Sequence, residues 1–233
     1  MHKVFALLGL AGTCLKAGAQ SFNIDLDVSG GGPLVGQGVP SAAFGAASGQ
    51  TGFWNRISSS GHNRTHALLN LQGASISATM RFSDSGGGGG SGWVGNTGDH
   101  RLLMNDYTSI TIPCTVTFSG LLPGRYTIYT YGADALGRAV PLEVRVPGAV
   151  TEVFRSGLSP ATGNQFVLGV THTIHHVLQS ASTLQVILSD PISDNPPDPS
   201  VNGFQLVHTP VPEPSIWLGL ALGLLGITRF RRK

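Results

Sequence analysis

Lysine is nearly missing from this chain: three occur in 233 residues, Lys3, Lys16 and Lys233, all in the end segments. Charge of either sign is scarce too, at 11% Asp, Glu, Lys and Arg against about 25% in an ordinary soluble domain. Between residues 20 and 210 there are 8 Arg against 11 Asp and Glu, so the body carries a formal charge of −3. The net +2 of the whole chain therefore comes from its ends, and the basic surface that nucleic-acid binding requires is absent. Cysteine is limited to Cys14 and Cys114. Once the first segment is removed only Cys114 remains, so no internal disulfide forms and stability must come from packing. No apolar run reaches the about 20 residues of a full membrane helix. Nor does the chain contain a Gly-x-Ser-x-Gly elbow, a His-Glu-x-x-His pair or a Cys-x-x-Cys pair, which removes the commonest local signatures of hydrolases and metal enzymes.

What is present is concentrated at the two ends. The C-terminus reads Val211-Pro212-Glu213-Pro214, an uncharged stretch over residues 215–228, then Arg229-Phe230-Arg231-Arg232-Lys233. As a helix, residues 216–227 would span roughly 18 Å at about 1.5 Å per residue, short of a bilayer core of about 30 Å. Such a segment suits a transient stop, with Arg229, Arg231, Arg232 and Lys233 held cytoplasmic and the residues before Pro212 outside. These residues resemble the PEP-CTERM signal of exopolysaccharide-producing bacteria. The resemblance implies that an exosortase reads the Pro-Glu-Pro motif, with Glu213 a recognition residue, and delivers the chain to the cell envelope, the outer surface or the biofilm matrix.

The N-terminus agrees with an exported protein. Lys3 precedes an apolar stretch over residues 4–15, and Ala17-Gly18-Ala19 has the small-residue pattern of a signal-peptidase site. Cleavage after Ala19 leaves Gln20 first. Thr13 before Cys14 argues against lipidation at that cysteine. The expected organisation is a signal peptide over 1–19, one domain over 20–209 and the sorting signal over 210–233.

Periodicity assigns the body to the all-β class. Phe22, Ile24, Leu26 and Val28 alternate with Asn23, Asp25 and Asp27, the period of a half-buried strand. The pattern recurs over 75–82 and 110–118, and further strands are expected at 125–131, 140–146, 165–170, 174–179, 184–189 and 203–207, bounded by Gly, Pro, Ser or Asp. Only residues 99–106 hint at a helix, with Asp99 placed as its N-cap. Pro123-Gly124 reads as a tight turn with positive φ at Gly124. Three stretches, Thr51-Gly52-Phe53-Trp54-Asn55, residues 122–132 and Val201-Asn202-Gly203-Phe204-Gln205-Leu206, resemble a β-sandwich found ahead of PEP-CTERM tails and similar to the galactose-binding jelly roll. The resemblance implies a jelly-roll-like sandwich and carries no functional residue with it.

Candidate chemistry in the body divides into binding and metal sites. Trp93, in a glycine-rich polar loop with Asn96 and Arg101 near it in sequence, is the leading sugar-stacking candidate, and Trp54 is the second. Asp190, Asp194 and Asp198 offer hard oxygen ligands for a structural calcium ion in a proline-rich loop. No cofactor is otherwise expected. On a strand His172 and His176 share a face and His175 points away, so this cluster supplies two ligands at most. The run Gly87-Gly88-Gly89-Gly90-Ser91-Gly92 formally fits a dinucleotide fingerprint, but no helix follows it, so it reads as a surface loop. Glu143 and Glu152 are the only glutamates of the body. The expected protein is an exported, non-enzymatic structural or adhesive component. A carbohydrate-binding module for exopolysaccharide is the alternative, and a secreted hydrolase a third reading. Expected partners are signal peptidase, exosortase, the membrane and, on the alternative, exopolysaccharide; nucleic acid is not among them.

Overall fold

The computed structural model describes residues 20–27, 38–58, 63–83, 89–91, 96–110, 113–134, 138–159, 163–192 and 198–211. In chain order the elements are β1 (Phe22–Asp27), β2 (Trp54–Ser58), β3 (Thr65–Leu69), β4 (Ser75–Phe82), β5 (Gly89–Ser91), α1 (Gly98–Met104), β6 (Asp106–Ser109) and β7 (Cys114–Ser119). They continue with β8 (Gly124–Tyr131), β9 (Leu142–Arg145), β10 (Val150–Val153), β11 (Arg155–Ser156), β12 (His172–Gln179), β13 (Thr183–Ser189), β14 (Ser200–Val201) and β15 (Gly203–Thr209).

Two six-stranded sheets form a β-sandwich. The first runs β10-β12-β8-β15-β1-β2 and the second β11-β9-β13-β7-β4-β3, with a small third sheet β14-β6-β5 beside them. Neighbours pair antiparallel throughout, except β1 and β2, which run parallel with Asn23 opposite Trp54 and Asp27 opposite Ser58. Alternation explains the core directly. Phe22, Ile24 and Leu26 from β1, Ile128 from β8 and Phe204 and Leu206 from β15 meet Met80, Val116, Phe118, Val144 and Val186 from the opposite sheet. Phe118 and Phe204 pack edge to face at 5.8 Å between ring centroids, the arrangement ring quadrupoles favour.

The opposite face of the first sheet decides the character of the molecule. Asn23, Asp25 and Asp27 point away from the sandwich core, yet all six residues of β1 are buried. Residues 38–53 and α1 lie over this face and enclose a second apolar cluster of Trp54, Leu103, Met104, Tyr131 and Ala133, with Val39, Phe44, Ala46, Tyr129 and Phe166 packed against it. The polar half of the strand pattern therefore faces protein, where alternation alone would place solvent.

Several expectations are corrected. The run over 110–118 is not one strand: β6 ends at Ser109 and β7 begins at Cys114, after Pro113, which has no N–H to give a ladder. Residues 165–170 form no strand. They lead into a turn in which Val170 and Thr171 donate to the Val167 carbonyl at 3.0 and 2.8 Å, with Gly169 at φ +80°. The strand expected from 174 begins two residues earlier, at His172. In α1, Thr97 and not Asp99 occupies the N-cap, without a side-chain cap bond. The Thr97 hydroxyl accepts instead from Asn164 Nδ2 at 2.7 Å, while Asp99, in the first turn, accepts from the Ser41 hydroxyl. Gly124 does not adopt positive φ; it is glycine because a Cβ there would lie 2.1 Å from His208 Nε2.

Candidate functional site

The covered face of the first sheet is held by a continuous polar network. Gln50 Nε2 donates to Asn23 Oδ1 at 2.8 Å, and Gln205 Nε2 donates to the same oxygen at 2.9 Å. The Tyr131 hydroxyl donates to Gln205 Oε1, which also accepts from the Ala47 N–H at 3.0 Å. Asn202 ties the third sheet to this face by donating to the carbonyls of Met104 and Asp106 at 3.1 and 2.9 Å. Gly45 leaves the space its neighbour needs, since a Cβ there would sit 2.4 Å from Gln205 Oε1. Burial of these amides and hydroxyls is tolerable because they bond one another; of the network's side-chain atoms only Asn23 Nδ2 and Gln50 Oε1 lack a partner among the described residues.

Beside this network lies a buried carboxyl cluster: Asp25, Asp27 and Asp106, each 3% exposed or less. Asp27 pairs with Arg56. No protein donor among the described residues reaches either oxygen of Asp25, and Asp106 has the Asp27 carboxyl as its hydrogen-bonding neighbour. Desolvation, followed by repulsion from Asp27 and Asp106, holds the Asp25 carboxyl well above the usual carboxylate range. Desolvation and the neighbouring Asp27 raise Asp106 to about 7, against the pull of Arg56 and Arg101. Burying carboxyls without donors favours the neutral acid. Among the described residues no three His, Cys, Asp or Glu side chains are arranged to hold a metal ion.

The histidines are structural in their surroundings. His172 and His100 flank Phe166, at 6.2 and 4.5 Å between centroids. Burial drives His172 down to about 4 and also lowers His100. His175 points into the sandwich, where its Nε2 meets the Val144 carbonyl at 3.1 Å. His176 is the half-exposed one, bridging Thr127 Oγ1 and Glu152 Oε1 at 3.0 and 2.7 Å. The expected face pattern thus holds, with Ile174 separating His172 from His176 and His175 opposed to both. Glu143 is clamped by Arg155 and Arg145, whose Nη2 and Nε groups donate at 2.8 and 2.7 Å respectively; the Arg155 bonds first, then Arg145, hold its carboxyl below the usual range. A carboxylate so engaged is a poor general acid.

The remaining candidates fall as follows. Trp54 is buried, its Nε1 donating to the Ser41 carbonyl at 3.2 Å, so neither ring face is open to a sugar. Asn96 is buried too and donates to Asn105 Oδ1 at 3.1 Å. Arg101 is half-buried on α1. Asp190 bonds the Ile192 N–H at 2.7 Å, closing its own turn, and Asp198 is half-buried. Trp93, Asp194, Ala17, Ala19, Pro212, Glu213, Pro214 and the basic residues 229–233 lie outside the described residues. Cys114 is buried in β7, as its place in an alternating strand implies. Tyr131 is fully buried and Tyr129 half-buried, so this strand offers no exposed tyrosine pair.

Sequence reasoning did not foresee how the two ends of the body meet. The Gln20 N–H donates to His208 Nδ1 at 3.0 Å, which sets the first described residue beside the last strand. That strand, β15, lies between β8 and β1 inside the first sheet. Only Pro210 and the exposed Val211 separate its end from Pro212, a reach of roughly 10 Å at most for three extended residues. The start of β1 and the end of β15 thus lie together at one end of the first sheet.

Residues 210–233 match the PEP-CTERM protein-sorting motif. This motif implies exosortase-dependent sorting of an exported protein to the cell surface. No helix among the described residues is long and apolar enough to cross a membrane. No curated protein matches the chain. Among solved structures, isomalto-dextranase of Arthrobacter globiformis T6 in complex with panose is similar at 14% identity, over 60% of this chain and 28% of that one, with a TM-score of 0.28. A similarity at that level carries no argument about activity.

Proposed function

We propose that the protein is a non-enzymatic structural or adhesive component of the cell envelope or extracellular matrix, exported by its signal peptide and placed by its tail. The observation that supports this reading is where the sandwich spends its reactive groups. The aspartate cluster is enclosed, Glu143 is clamped by two arginines, and His100, His172 and His175 are buried with lowered basicity. These groups serve the fold, and the body becomes a stable unit whose two ends lie together at one end of the first sheet. Processing at Pro212-Glu213-Pro214 would release it from, or hold it at, the membrane.

The test is delivery. In an exosortase-bearing bacterium the full chain is expected in the surface or matrix fraction, whereas deletion of residues 211–233 sends it to the wrong fraction and Glu213→Gln reduces delivery at least about tenfold, the worth of one charged contact of about 1.4 kcal/mol. Unchanged fractionation of both variants would remove the sorting role from these residues.

One observation favours the carbohydrate-binding alternative. An open groove of about 480 Å³ on the first sheet presents Arg125, Thr127, His176 and Thr209 next to the exposed apolar Val150 and Leu178, and polar groups beside apolar surface are what a sugar ring needs. Pull-down of the exported protein with the producer's exopolysaccharide is expected to weaken by about tenfold or more in Arg125→Ala or Trp93→Ala, since a lost charge-assisted bond or stacking contact is worth about 1.5 kcal/mol. Absence of binding to acidic and neutral glycans would sink the alternative and leave the structural role.

A further inference from the structure

We propose that Gln20, once freed by cleavage after Ala19, cyclises to pyroglutamate within a site the fold builds for that reaction. The inference rests on reading residues 1–19 as a signal peptide. Its geometry is independent of that reading. Gln20 is 6% exposed, and every polar atom of its amide and its own nitrogen has a partner. The Leu122 N–H donates to Oε1 at 2.5 Å, and the Tyr126 hydroxyl shares its proton between Oε1 at 3.1 Å and the Leu122 carbonyl at 3.0 Å. Nε2 donates to the Gly120 carbonyl at 2.9 Å.

His208 faces the nitrogen in the one tautomer that can act as a base. The Pro123 carbonyl, 3.2 Å from Nε2, can only accept, so Nε2 carries the proton and Nδ1 presents its lone pair to the Gln20 nitrogen. The imidazole is fixed by Tyr126, stacked at 4.7 Å and 28°, and by the missing side chain of Gly124. Burial lowers its basicity, which favours the neutral imidazole.

The step balances without a co-reactant. Cleavage converts the Gln20 nitrogen into an α-amine, which passes a proton to His208 Nδ1 and attacks Cδ. The N–Cδ bond forms while the carbonyl electrons move to Oε1, where the Leu122 N–H and Tyr126 O–H stand as oxyanion donors. The Cδ–Nε2 bond then breaks, and Nε2 leaves as ammonia with the proton returned by His208. A five-membered lactam results. Burial supplies the driving logic as well: an α-ammonium at this buried position would face a neutral imidazole, a costly arrangement. The lactam carries no charge, and its N–H and carbonyl match in kind the His208 acceptor and the Leu122 and Tyr126 donors that surround Gln20.

The experiment isolates the exported full chain from a bacterium with signal peptidase and exosortase and measures its N-terminal peptide by mass. The expected peptide begins at residue 20, lacks the mass of one ammonia and resists Edman degradation. A peptide beginning at Gln20 with a free amine overturns the proposal while leaving the cleavage reading intact; a peptide beginning elsewhere overturns both. Freshly exported protein then gives the rate. Conversion is expected to slow about tenfold or more in Tyr126→Phe, which keeps the stacked ring, and in His208→Gln, which keeps an acceptor without a base. Should either variant fold poorly, wild-type chain in urea serves as the comparison, and equal rates in folded and unfolded protein would show that the fold does not assist.

Discussion

Gly203→Ala is expected to destabilise the protein by about 3 kcal/mol, at the upper end of ordinary overpacking costs. Gly203 opens β15 between two neighbours, opposite Asp25 of β1 and Tyr131 of β8. A Cβ at this position would lie 2.4 Å from the Ile24 carbonyl oxygen and 3.1 Å from Leu103 Cδ1. Leu103 can turn aside, but Ile24 O belongs to a strand held on both sides, by β15 and by β2. Relief therefore requires β1 and β15 to separate where the core and the covered face are joined. Against a total stability of about 5 to 15 kcal/mol, such a loss is large. Gly148→Ala provides the comparison: its φ is +76° but a Cβ would meet nothing within 4 Å, so only the backbone strain of about 1 kcal/mol is expected. Urea melts of the two variants decide the matter, and a Gly203→Ala protein no weaker than Gly148→Ala would contradict the close approach.

Stability is also expected to fall as pH rises from about 6.5 to 8. Asp106 has its carboxyl at about 7 in the fold against an ordinary value of 3.8, and Asp25 is raised in the same direction. Between those values the folded protein binds more protons than the unfolded chain, so the slope of stability with pH is negative. The stabilisation is fully present below 3.8 and is lost progressively as pH rises to about 7; for Asp106 the whole loss is roughly 4 kcal/mol at about 1.4 per unit, of which roughly 1 kcal/mol falls above pH 6.5, where Asp25 adds to it in the same direction. The buried histidines work the other way. His172, lowered to about 4, and His100, His175 and His208, lowered by the same desolvation, hold their stabilisation above 6.5 and lose it as pH falls. The two sets offset each other below 6.5, and the carboxyls alone act above it. Groups facing the cluster are Asp27 and Arg56, with Arg101 near Asp106. Asp25→Asn, which keeps the shape without the charge, is expected to flatten the fall and raise the melting temperature at pH 8. A wild-type melting temperature that holds or rises from pH 6.5 to 8 would remove the charge argument.

Much of the sandwich was legible before the structure. Phe22, Ile24 and Leu26, and likewise Cys114, Val116 and Phe118, announce their strands by alternation, since a period of two is a local property of the extended chain. Short edge strands were not visible. Thr65–Leu69 and Val150–Val153 exist because β4 and β12 offer them a ladder, and their own sequences show little alternation. The same limit explains Gly124. Glycine before a strand suggested a turn residue, whereas its reason is an imidazole arriving from 84 positions later.

Trp54 shows the limit for sites. Near Asn55 and Arg56 it has the composition of a sugar platform, yet residues 38–53 and α1 cover it. Coverage depends on where distant segments pass, which no local pattern encodes.

The sequence by itself determined the destination of this protein and the class of its body. The sorting motif is a contiguous stretch of sequence, and strand periodicity is set by neighbours two residues apart. Only the tertiary structure decided that the polar face of β1 is enclosed, that three aspartates share one buried pocket with Arg56 beside Asp27, and that Gln20 lies against His208. Those facts depend on contacts between residues separated by tens to nearly two hundred positions, and desolvation, which sets their chemistry, exists only once such contacts have closed over them.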